Sequence, residues 1–318
     1  MNTQTQTAVV LGVVNAVLLQ HFLKILQGLF HPPKDLAGSQ ILGVCCRLRR
    51  LGDPTRIPPL WISFAMAERL DAQQVALSGR LAEAAEAVGV PLSSDTVERL
   101  IRYLNLLCHW NRKINLVGTL PAEEIITRHI VDSLTPLALQ LPVGQWADAG
   151  SGAGFPGLVL KIARPEIAMT LIESSRKKAA FLHSVVGHLH LSGVSVCCDR
   201  LEQCQAPRSG FDLIVSRAVA PATVIASGVR LLHPNGWFLF FQSQQGAVTL
   251  EHPSFPGAAW EKTYSTPGVN GGPSRALVVM KRTSSRPGGV DDPNASVFPI
   301  GRPILYTTPH PTVGDLLS

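Results

Sequence analysis

Asp148, Gly150, Gly152 and Gly154 fall together in WADAGSGAGFPG, residues 146–157. Glycines spaced this way let the backbone run close to a ligand and take positive φ without a Cβ penalty. The helix expected from the apolar run after it, 158–163, aims its free N–H groups at the same place. A dinucleotide fingerprint, Gly-x-Gly-x-x-Gly, needs a third glycine at position 155, which is Phe155. An acid two residues ahead of the first glycine would also repel a pyrophosphate. S-adenosylmethionine (SAM) carries no phosphate, and its sulfonium and ammonium groups are cations that suit Asp148. Asp-x-Gly-x-Gly-x-Gly is the form this turn takes in methyltransferases. The plainer alternative is a tight strand-to-helix turn that holds no ligand.

Further polar residues stand at the ends of expected strands. Glu173 closes the strand 167–172, 23 residues past Gly150, where a carboxylate can grip two ribose hydroxyls. Asp199, Arg200, Leu201 and Glu202 follow the strand 194–197, and residues there would flank an adenine. Arg217 sits at the carboxyl end of the strand beginning at Phe211, at the edge where a reacting group must lie in an open α/β sheet. No Asp/Asn-Pro-Pro-Tyr sequence is present, and no cysteine lies at this strand end to act as a covalent nucleophile. An arginine donates hydrogen bonds but cannot serve as a base. It suits an acceptor that is already nucleophilic, such as a ring nitrogen of guanine; a structural salt bridge is its alternative role. Arg275 opens the last expected strand, near the mouth of such a site. Arg176, Lys177 and Lys178 begin the helix after Ser174, its expected cap; these cations oppose the helix dipole and face either RNA phosphate or solvent.

Seven expected strands (near 146, 167–172, 194–197, 211–215, 236–242, 260–266 and 274–280) alternate with helices in the first part, the pattern of a parallel sheet covered on both faces. Upstream, Ser94 begins a capping-box pattern with Glu98. Val97, Leu100, Ile101, Leu104 and Leu107 then recur at helical spacing. A second helix from about Pro121 brings Arg128, His129, Asp132 and Ser133 within about a turn and a half. His129 and Asp132 either serve the site or tie this helix to its neighbour.

The 318 residues are 46% hydrophobic, enough for a sizeable core, and carry a net charge of +6, which tilts toward a polyanionic partner. Six cysteines, including the adjacent pairs Cys45-Cys46 and Cys197-Cys198, show no metal-ligand spacing, so no metal site is expected and reduced thiols in a cytoplasmic protein are the simplest account. Residues 8–30 are apolar but interrupted by Asn15, Gln20, His21, Lys24 and Gln27, which makes them a poor signal peptide and a marginal membrane span; a membrane-surface or packing helix is the minor alternative. The domain division is then an extension over 1–65 outside the fold (from an over-extended start, on one account), a helical cap over 66–140, a SAM-binding domain over 141–282 and a disordered tail over 283–318.

The stretches WADAGSGAGFPGLVL, RHIVDSL, NRKINLVG, DRLEQ and FDLIVSRAVA together resemble the RsmG family (glucose-inhibited division protein B), from about residue 80 to 282. The resemblance implies a class I SAM-dependent methyltransferase, a Rossmann-like, mostly parallel seven-stranded sheet with a helical N-terminal cap. It implies methylation of guanine N7 in 16S rRNA; the reading that follows is direct in-line transfer by a monomer acting on 16S rRNA, free or in a small-subunit precursor. It places cofactor contacts at Gly150, Phe155, Leu201, Glu202 and Arg217, and basic residues near the acceptor at Arg200 and Arg275, which with Arg217 form the expected catalytic set. One position departs: Gln242 stands where the family's Leu-Lys-Gly segment carries lysine. A SAM enzyme acting on another RNA or a small molecule, and an inactive RNA- or membrane-binding protein, are the alternatives.

Overall fold

The computed structural model describes residues 59–250, 255–266, 268 and 274–283. The readings of residues 8–30, of the rest of the 1–65 extension as far as residue 58, and of the tail after residue 283 fall outside these residues. The chain divides into two compact units, Met1–Glu68 and Arg69–Ser318. Of the first, only the start of helix α1 (Pro59–Ala87) is described, and that helix runs across the boundary expected at residue 66. Among the described residues no helix is long and apolar enough to cross a membrane.

The second unit is built on seven strands: β1 (Gln145–Ala149), β2 (Ala168–Ile172), β3 (Val194–Cys197), β4 (Phe211–Arg217), β5 (Leu232–Ser243), β6 (Ala258–Thr266) and β7 (Arg275–Arg282). They form one sheet in the order β3-β2-β1-β4-β5-β7-β6. The pairings from β3 through β5 are parallel, and β7 lies antiparallel to both β5 and β6. All seven expected strands are present, each within a few residues of the expected bounds. The sheet's order reverses between β1 and β4, so the chain leaves a crevice outside their carboxyl ends.

Side chains alternate across the pleat. Along β5, Trp237, Leu239 and Phe241 join one core cluster, while Phe238 and Phe240 join the other. On the first face lie the helical cap and helices α5 (Gly157–Ala163) and α6 (Arg176–His188); on the second lies α7 (Pro221–Gly228). Helix α2 (Ser94–Asn111) turns Val97, Leu100, Ile101, Tyr103, Leu104 and Leu107 inward, the i, i+3, i+4, i+7 stripe that a packed helix needs.

Two expected caps are corrected. Helix α2 is capped by Ser93, whose hydroxyl accepts the Thr96 N–H at 3.2 Å; Ser94 already has helical geometry. With Ser93, Ser94 and Asp95 in a row, the cap goes to the residue holding extended φ/ψ, and that is the first. Helix α6 begins after Ser175 and has no side-chain cap; the Glu173 carboxylate accepts the Ser175 N–H at 2.7 Å. Ser174 is displaced because a carboxylate two residues upstream is the stronger acceptor.

The cysteine account is corrected as well. Cys197 does not pair with its neighbour Cys198; at the end of β3 it forms a disulfide with Cys204, seven residues on, with Cα atoms 6.7 Å apart. The turn after β3 folds back and brings them within bridging distance. Cys108 and Cys198 are free.

Candidate active site

Strand β1 ends in Asp148 and Ala149, and the chain then doubles back over the sheet edge. Gly150 and Ser151 both donate their N–H groups to the Ile172 carbonyl at 3.0 Å, which pins the turn to the end of β2. Gly150 holds φ +79°, and a Cβ there would meet Val219 at 2.5 Å. No other residue type fits. At Gly152 (φ +55°) the nearest atom a Cβ would meet is the Gly150 carbonyl oxygen at 3.8 Å, so the backbone lies open to a ligand. Gly154 packs on Leu158, which starts the first turn of α5.

The two acids of the turn are held differently. Glu173 is buried; one oxygen accepts the Gly152 N–H at 2.9 Å and the other the Ser175 N–H. Each carboxylate oxygen keeps a second lone pair for a ligand hydroxyl. Asp148 is fully buried; its Oδ2 accepts the Gly157 N–H at 3.0 Å, tying the end of β1 to the start of α5. Its Oδ1 is buried without a hydrogen-bond partner. Burial pushes the Asp148 carboxyl up to about 7, against the Gly157 N–H, which pulls it down. A buried carboxylate oxygen with an open lone pair beside a glycine turn is what a cationic ligand requires, and the donor set fits SAM.

Tyr103 on α2 fastens the helical cap to this turn by donating its hydroxyl to the Ala153 carbonyl at 2.6 Å, in a fully buried contact. Nothing in the sequence marks it, beyond Tyr103 sharing a face with Leu100 and Leu107. Tyr103→Phe leaves that carbonyl without its donor and should cost about 1–3 kcal/mol, read as a lower urea midpoint with an unchanged slope.

The acceptor side lies at the carboxyl ends of β4 and β5. A cavity of about 420 Å³ is lined by Asp132, Arg217, Ala218, Phe241, Gln242 and Arg275, with Val219, Ala220, Pro221 and Ser243. Ala218 holds φ +66°, left-handed backbone that costs a non-glycine residue about 1–2 kcal/mol. Such strain at a strand end is commonest at functional sites. Arg217 forms an ion pair with Asp132 at 3.3 Å, both side chains being largely buried. Burial pushes the Asp132 carboxyl up while Arg217 draws it down, and burial lowers Arg217. A guanidinium does not lose its proton in a protein, so the pair is ionic. Gln242 therefore stands in a wall that already carries two arginines and one carboxylate.

The expected site residues thus fall in three places: the glycine turn, the cavity and the loop after β3. Asp148, Gly150, Gly152, Gly154 and Glu173 make the turn. Phe155 is buried and packs between Tyr103 (5.8 Å, edge-on) and His129 (5.0 Å, stacked), with Arg217 5.9 Å above its ring. Arg217 and Arg275 share the cavity. Leu201 and Glu202 follow β3, where Arg230 clamps both carbonyls and Ser227 donates to the Glu202 carboxylate at 2.9 Å. Arg200 is exposed on that loop and is not part of the cavity wall.

A seven-stranded sheet with one antiparallel strand, a glycine turn after β1 and acids at the ends of β1 and β2 define a class I SAM-dependent methyltransferase. Residues 96–255 match the family model GidB, rRNA small subunit methyltransferase G, and the chain belongs to that family. "Ribosomal RNA small subunit methyltransferase G" from Wolinella succinogenes is 42% identical over 159 residues, 49% of this chain and 80% of the relative. The protein of that name from Halorhodospira halophila is 37% identical over 202 residues, 63% of this chain and 94% of the relative. Among solved structures, a SAM dependent methyltransferase from Aquifex aeolicus superposes with a TM-score of 0.39 at 13% identity, over 50% of this chain and 93% of that one, a likeness too slight to bear on function.

Proposed function

We propose that this enzyme methylates N7 of a guanine in 16S rRNA, with the acceptor seated in the cavity walled by Arg217 and Arg275. The observation that carries this reading is the chemistry of that wall. Its cations are fixed-charge donors, and its carboxylate, Asp132, is engaged by Arg217. No group there is set up to remove a proton, and N7 of guanine has none to lose; its lone pair is already the nucleophile.

Bound SAM supplies an electrophilic methyl group. Asp148 would neutralise its cationic end, the backbone at Gly150, Gly152 and Gly154 would line its path, Glu173 would take the ribose, and Phe155, Leu201 and Glu202 would complete the pocket. Orientation then makes the transfer effectively unimolecular. The enzyme works as a monomer in the cytoplasm on this view, a placement that follows from the substrate and not from the thiols.

The test is mass mapping of methylated nucleosides in small-subunit rRNA incubated with enzyme and SAM; a product other than 7-methylguanine refutes the assignment. Arg275 is exposed and lines the cavity, a position from which it would meet the RNA backbone. Arg275→Ala should raise KM for rRNA several-fold and lower the salt slope of RNA binding by about 1. A small-molecule acceptor would leave that slope flat.

A further inference from the structure

Among the described residues, the hydrogen bonds and the ion pair of the Arg217 side chain all go to one stretch, residues 128–133. Nη2 donates to the Arg128 carbonyl at 2.9 Å and to Nδ1 of His129 at 3.0 Å, and lies 3.3 Å from Oδ2 of Asp132. Nη1 reaches the His129 carbonyl and the Ser133 hydroxyl, each at 3.4 Å. This stretch is not an ordinary helix. After α3 (Ala122–Ile125) the chain opens into a π-turn over Ile126–Val131 and closes again as α4 (Asp132–Leu134). A π-turn widens the helix and re-aims carbonyls, and such turns are frequent at functional sites.

We propose that His129 is a positioning residue for methyl transfer: with the π-turn carbonyls and Asp132 it forms a socket that sets the Arg217 guanidinium in the cavity wall. An arginine only donates, so Nδ1 of His129 must present a lone pair, and the ring must be the neutral Nε2–H tautomer. Burial, with the charges of Arg217, Arg128 and Arg275, lowers the His129 pKa to about 4, so the ring stays neutral at physiological pH. The same ring stacks on Phe155, which follows the glycine turn. His129 therefore bridges the cofactor turn and the acceptor wall, two parts of the site that come from different strands. The Arg217–Asp132 ion pair alone would hold the charge but leave the guanidinium plane free to turn.

This role rests on the methyltransferase reading above, and two measurements keep their failures apart. In the free protein, 15N spectra of the histidine rings should show His129 protonated at Nε2 and bare at Nδ1, and Arg217→Lys should shift that signal. A ring protonated at Nδ1 overturns the socket whether or not the enzyme turns over. In kinetics, His129→Phe keeps a ring against Phe155 but has no acceptor; kcat should fall about 10- to 100-fold, the worth of one hydrogen bond to a charged group, with KM for rRNA and Kd for SAM within about twofold. His129→Asn, whose amide oxygen can stand near the place of Nδ1, should recover most of the lost kcat. A His129→Phe enzyme with wild-type kcat, or an Asn variant no better than Phe, overturns the positioning role. Wild-type enzyme that leaves rRNA unmethylated but shows the expected tautomer would refute the substrate and leave the socket standing.

Discussion

Asp148→Asn should weaken SAM binding about 10- to 100-fold at pH 8 while the protein stays at least as stable as the wild type. The substitution keeps the shape and the oxygen that accepts the Gly157 N–H. It puts an amide where the unpartnered, buried Oδ1 now sits. What is lost is a charge-assisted contact to a cation, worth about 1.5–3 kcal/mol. What is gained is freedom from ionising a buried acid. The sign follows from the raised pKa, about 7 against the 3.8 ordinary for an aspartate. Between those values the folded protein holds a proton that the unfolded chain has released. This group's stabilising contribution is complete below about pH 4 and is lost as pH rises through 7. The Asn variant lacks that loss, so its melting temperature should gain on the wild type as pH rises.

Binding carries the opposite signature. A cation prefers the ionised carboxylate, so below pH 7 wild-type SAM binding must release a proton and weaken about tenfold per unit of acidification. The variant's affinity should not follow pH in this way. Calorimetry at pH 6 and pH 8 reads both effects. A variant that binds SAM as tightly as the wild type at pH 8 would remove Asp148 from the cofactor site and leave it the clasp between β1 and α5.

The parts of this site that can be read from the sequence are those whose partners are close in the chain. The turn of Gly150, Gly152 and Gly154 is local, because positive φ is a property of single residues. The strands are legible because each is a short apolar run bounded by turn residues, and their alternation survives without knowledge of the neighbours. Glu173 is placed by its distance from Gly150. The grip on Arg217 cannot be read this way. Its acceptors lie 84–89 residues upstream, and nothing in RHIVDS indicates a π-turn. The sequence leaves His129 and Asp132 with two roles, site or helix tie; what they hold is a strand-end arginine. Tyr103 and Ala153, 50 residues apart, are the same case. Cys197 and Cys204 are near in sequence, but their pairing depends on how the turn after β3 folds back, which local propensity does not determine. The cap of α2 falls one residue from its expected place because adjacent serines compete on backbone geometry, while at α6 no serine side chain caps and the Glu173 carboxylate takes the Ser175 N–H instead.

Arg217→Ala should cut methylation by about 10²-fold or more while SAM binding stays measurable, and the reason separates two roles that share one side chain. Removing the guanidinium takes a donor from the cavity wall; because the transferred methyl makes guanine N7 cationic, that donor serves by holding the acceptor in line and not by stabilising new charge, and a misplacement of about 1 Å can cost about 10²-fold in rate. It also leaves Asp132 buried and unpaired. Breaking a buried pair from one side costs about 3–5 kcal/mol, so a simple loss of activity could come from a loosened 128–133 segment. Asp132→Asn in the Arg217→Ala background resolves this. It removes the stranded charge and should restore a large part of the stability, read by urea unfolding, without restoring turnover. Arg217→Lys gives the complementary arm. The ammonium keeps the charge beside Asp132 but has three donors in place of a planar fork spanning five acceptors, so stability should largely hold while kcat falls. Were the double variant to regain methylation along with stability, Arg217 would be a fastener of the helical segment, and Arg275 would remain as the cavity's acting cation.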